Sequence, residues 1–73
     1  MIRRKAPQVQ LGNRYLKTTD PRGAPWEVVY LWTAVDGILH ARLSGGEKGS
    51  RLLTIAASVL LDPHFWLPAS EPR

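Results

Sequence analysis

Two histidines, three aspartates beside turn formers, and the serines at 44, 50 and 58 are the residues of this chain whose types suit chemistry. None stands at a spacing that a reaction requires. A catalytic zinc site takes three protein ligands, and a chain with no cysteine, only His40 and His64, and no H-x-x-x-H pair is expected to hold no metal. Asp20, Asp36 and Asp62 each adjoin proline or glycine, where aspartate serves backbone hydrogen bonding in turns rather than acid–base work. Ser44, Ser50 and Ser58 lack the setting of a nucleophile elbow. The run Gly45-Gly46-Glu47-Lys48-Gly49-Ser50 shares only its composition with a phosphate loop, because the G-x-x-x-x-G-K-[ST] spacing is missing. The expectation is a protein that is not an enzyme and carries no cofactor.

Charge leaves binding functions open. The net charge is +4, but it is unevenly placed. Arg3, Arg4, Lys5, Arg14, Lys17 and Arg22 face Asp20 alone in residues 1–25, whereas residues 26–73 are close to neutral. A basic arm and first strand can hold phosphates without sequence preference, with affinity that falls steeply with salt. Residues 1–11 combine this charge with Pro7 and two glutamines, and are expected to form a flexible arm.

Length sets the next constraint. A chain of 73 residues makes one small domain, and one of this size buries only about 60% of its unfolded surface. Without disulfides, three Trp, two Tyr and one Phe must fill the core, each burying about 150–250 Å². The longest mostly apolar run, residues 52–61, is well short of the roughly 20 residues that span a bilayer. The expected setting is soluble and cytoplasmic.

The elements that must position these residues are strands. Asp36-Gly37 between two apolar runs is a strong hairpin signal. A two-residue loop there pairs Trp32 with Ala41 and Tyr30 with Leu43, which collects Trp26, Val28, Tyr30, Trp32, Leu39, Ala41 and Leu43 on one buried face. Val29, Leu31, Val35 and Ile38 then share the outer face with Glu27, Thr33, His40 and Arg42. Strands are expected near 14–18, 26–34, 38–44 and 51–56. A helical turn at 58–61 and a last short strand at 65–67 follow. The stripe at 52, 55, 56, 59 and 60 also fits a helix, but a hairpin needs a third strand and Asp62-Pro63 stops a helix at once. Pairing Ser44 with Ser50 sets Leu53 and Ile55 on the buried face.

This layout is an all-β, SH3-like, partly open small barrel of about five strands, with residues 12–67 as its body and 68–73 as a loose tail. The pieces Trp-Glu-Val-Val, Asp-Gly, His-Ala-Arg-Leu, Thr-Ile and Leu-Leu-Asp-Pro, between Trp26 and Phe65, resemble a group of small uncharacterised bacterial proteins with SH3-like barrels. The resemblance covers roughly forty residues and implies a fold rather than a site. Neighbours on a strand point opposite ways, so Phe65 is expected inward and Trp66 outward as a binding anchor. The leading expectation is a binding or adaptor module that meets another protein through Val29, Leu31, Arg42 and Trp66. The alternative is nucleic-acid binding through Arg3, Arg4, Lys5, Arg14 and Lys17, and a homodimer through a sheet edge is compatible with either.

Overall fold

The computed structural model describes residues 9–69. Five strands form one antiparallel sheet: β1 (Arg14–Lys17), β2 (Trp26–Thr33), β3 (Leu39–Gly45), β4 (Arg51–Ala56) and β5 (Trp66–Pro68). Their order across the sheet is β4-β3-β2-β1-β5, so β4 and β5 are its two ends and the sheet does not close on itself. A 3-10 turn at Ala57–Leu61 links β4 to β5, and a shorter one at Glu47–Gly49 lies between β3 and β4. The fold is all-β, and strand rather than helix occupies 51–56.

Two features of β2 set which side chains are inside. The first is its turn. Ala34 N–H donates to the Ile38 carbonyl and Gly37 N–H to the Ala34 carbonyl, at 3.0 and 2.9 Å, so the loop is Val35-Asp36-Gly37 and not Asp36-Gly37 alone. A two-residue turn of the expected type needs positive φ at both central residues. Here only Gly37 takes it, at 84°, while Asp36 Oδ1 accepts the Ile38 N–H at 2.9 Å. The extra residue shifts the pairing by one. Trp32 now faces His40, Leu31 faces Ala41 and Tyr30 faces Arg42.

The second feature is a bulge at Val29. Between Val28 and Tyr30 the register slips again, so Val28 faces Leu43 and Trp26 stays inward. The inner face of β2 is therefore Trp26, Val28 and Leu31. This corrects the expected burial of Tyr30 and Trp32, which emerge on the outer face, and the expected exposure of Leu31, which packs against the core. Leu39 points inward but lies at the hairpin end and stays exposed.

The buried residues are Val9, Tyr15, Trp26, Val28, Ala41, Leu43, Ala57, Leu60 and Trp66, with Leu31, Leu53, Ile55 and Val59 packed against them. Trp26 and Trp66 meet edge to face, their centroids 6.4 Å apart. Gly45 is required by that packing, because a Cβ there would overlap the Trp26 indole. The β3–β4 register pairs Leu43 with Leu53 and Ser44 with Leu52, two residues from the expected register but on the same faces.

Trp66 is a second correction: it is 6% exposed, whereas Phe65 is 58% exposed. The cause lies in the turn before β5. Asp62 accepts the backbone N–H groups of both Phe65 and Trp66 on its carbonyl. This holds Phe65 outside the strand and brings Trp66 opposite Lys17 on the inner side. At the other end, Val9 is buried and Gly12 N–H donates to the Val28 carbonyl, so the chain is tied to the body before residue 12. Ala69 N–H donates to the Arg14 carbonyl. Arg3, Arg4 and Lys5 lie outside the described residues.

Candidate functional site

The outer face of β2, β3 and β4 is an ordered array. Direct cross-strand pairing places Trp32, His40 and Ala56 in one row, and Tyr30, Arg42 and Thr54 in the next. Ser44 and Leu52 follow, with Glu27 opposite Ser44. The rings use this geometry. Tyr30 stacks on Trp32 with centroids 5.3 Å apart and planes at 28°, and Trp32 stacks on His40 at 5.6 Å and 21°. The Arg42 guanidinium lies 5.7 Å from the centroid of the Trp32 ring, within cation–π reach, and its Nε donates to Thr54 Oγ1 at 3.3 Å.

His40 is oriented from below. Its Nδ1 is 2.9 Å from the Ile38 carbonyl, an acceptor, so Nδ1 carries the proton and donates. The four side chains thus constrain one another. Tyr30 is 56% exposed and Arg42 is exposed, while Trp32 and His40 are half-buried by their own neighbours. Val29 on the bulge and Leu52 at the β4 edge extend the apolar rim.

The sequence expectation brought together Val29, Leu31, Arg42 and Trp66 on this surface. The structure keeps Val29 and Arg42 exposed and turns the other two inward. It supplies Tyr30, Trp32 and His40 instead. Of the basic candidates, Arg14 is exposed on β1 opposite Glu27, and Lys17 sits with its ammonium 4.9 Å from the centroid of the Trp26 ring. Neither adjoins the Tyr30–His40 stack. No residue in the sequence separates the two loops, because a type I turn followed by a left-handed glycine makes a three-residue loop from the same dipeptide.

A shallow cleft of about 270 Å³ lies where the ends of the sheet approach each other, lined by Lys17, Thr18, Thr19, Leu53, Phe65 and Trp66. Thr18 Oγ1 is occupied there, donating to the His64 carbonyl at 2.8 Å. Nearby, Asp62 Oδ1 accepts the His64 backbone N–H at 2.9 Å and lies 3.1 Å from its Nδ1. The backbone bond, and after it the side-chain bond, hold the Asp62 carboxyl below its ordinary range. The pair shapes a turn, as its position before Pro63 suggests. Among the described residues no three of His, Asp and Glu gather as a metal set, and no helix is long and apolar enough to cross a membrane. Comparison with family models, with curated proteins and with solved structures gives no match.

Proposed function

We propose that the chain is a non-enzymatic SH3-like binding module that meets a protein partner through the outer face of β2–β4. The strand order, with a 3-10 turn just before the last strand, supports the SH3-like reading. The observation that carries the function is the Tyr30–Trp32–His40 stack with Arg42 over it. Tyr, Trp and Arg dominate interface energetics, and rings already held in place lose little side-chain freedom on binding. Residues 9–69 hold six Arg and Lys against five Asp and Glu, so the body offers a near-neutral aromatic surface rather than a basic groove.

Selection of displayed peptides against the immobilised protein, followed by amide chemical-shift mapping, tests this. The expected footprint is Val29, Tyr30, Trp32, His40 and Arg42, with binding lost in the Tyr30→Ala/Trp32→Ala variant. A footprint elsewhere, or full binding by that variant, overturns the reading.

One observation favours nucleic acid as a second reading: Tyr30 and Trp32 stand on the surface, where bases can stack. On that reading a single-stranded oligonucleotide is retained at low salt and released at moderate salt. The same variant, or deletion of residues 1–8, weakens retention.

A further inference from the structure

The two ends of the sheet are not alike. β5 is three residues long and ends in Pro68, which has no N–H to offer, so its outer edge is blunted in the way natural sheets protect themselves. β4 is twice as long, Arg-Leu-Leu-Thr-Ile-Ala, with no proline, glycine or acid and one cation at its start. Among the described residues it pairs only with β3, so one whole edge of its backbone is without a strand. Leu52, beside that edge, is 65% exposed.

We infer that β4 pairs with β4 of a second copy of this chain, antiparallel about a twofold axis at Thr54. The sequence of β4 selects this occupant because the strand complements itself. With the axis at Thr54, the two Thr54 residues face each other, Leu53 of each copy faces Ile55 of the other, and Leu52 faces Ala56. Hydroxyl meets hydroxyl, aliphatic meets aliphatic, and Arg51 falls outside the paired stretch, so no like charges are opposed. Moving the axis to Leu53 sets Arg51 against Ile55 and Leu52 against Thr54, a poorer match on both faces.

A twofold perpendicular to the sheet keeps each face on its own side. Leu53 and Ile55 continue the inner layer, and the Tyr30–His40 stacks of both copies stand on one outer surface. Two modest sites then act on one bivalent partner, which raises avidity without any new contact. Dimerisation itself does not depend on the proposed partner.

Sedimentation equilibrium from micromolar to millimolar protein tests the pairing, together with single-cysteine variants of a chain that has no cysteine of its own. The mass is expected to rise from 8.2 kDa towards twice that value. Thr54→Lys sets two ammonium groups on the axis and is expected to keep the chain monomeric at every concentration. Leu67→Lys, on β5, is expected to leave the dimer intact. Thr54→Cys is expected to form an intermolecular disulfide faster than Leu67→Cys under the same mild oxidant. Native amide dispersion in each variant shows that it has folded. A wild-type mass of 8.2 kDa at millimolar concentration overturns the inference, as does a dimer that survives Thr54→Lys or equal crosslinking at both positions.

Discussion

Trp32 and His40 are directly opposed across β2 and β3, with ring centroids 5.6 Å apart and planes inclined by only 21°. The pairing records a register set three residues away in the Val35-Asp36-Gly37 loop. It also gives an outward Trp something to cover it: Tyr30 on one side, His40 on the other and Arg42 above. A double-mutant cycle on Trp32→Ala and His40→Ala should return a coupling of about 0.5–1 kcal/mol by urea denaturation, in the range of cross-strand aromatic pairs. Strict additivity would mean that the rings stabilise nothing jointly.

Gly37 holds φ at 84° to end that loop, and an added Cβ meets no neighbouring atom there. The cost of Gly37→Ala is therefore purely conformational, about 1–2 kcal/mol. Asp36→Ala, which removes the acceptor for the Ile38 N–H, should cost about 0.5–1.5 kcal/mol. Both are read from the shift in the urea midpoint at unchanged slope.

Gly45 poses a steric problem instead. A Cβ at this position overlaps the Trp26 ring, so Gly45→Ala should cost about 1–3 kcal/mol through overpacking. Trp26→Leu alone should also destabilise. In the double variant the smaller side chain makes room, and the combined loss should be less than the sum of the two.

Much of the fold was legible in the sequence because strand periodicity and turn residues are local. All five strands, the 3-10 turn near 58–61 and the inward placement of Ala41, Leu43, Leu53 and Ile55 follow from alternation and from Asp-Gly, Gly-Gly and Asp-Pro. The candidate site was not legible, since it depends on one residue of register. Asp-Gly fits a two- or a three-residue loop, and the choice decides whether Trp32 faces Ala41 or His40. No residue type announces the bulge at Val29, which returns Trp26 and Val28 to the core despite the shifted hairpin. Phe65 and Trp66 were exchanged because Phe65 belongs to the turn bonded to Asp62, where alternation does not apply.

Tyr15 gives a pH signature. It is 5% exposed, and burial raises its phenol above the ordinary tyrosine value. A folded pKa above the unfolded one means that the stabilisation is complete below the unfolded pKa and is lost as pH climbs through the folded one. The thermal midpoint should therefore fall at strongly alkaline pH more steeply in the native chain than in Tyr15→Phe. Parallel curves would show that the buried phenol does not govern this limb.

The outer-face array stands on the hairpin register, and cross-strand nuclear Overhauser contacts in the native chain measure that register directly. Contacts between the rings of Trp32 and His40, together with backbone contacts pairing Leu31 with Ala41 and Tyr30 with Arg42, are the expected result. Backbone contacts pairing Trp32 with Ala41 and Tyr30 with Leu43 would return both aromatic side chains to the interior and remove the proposed binding surface.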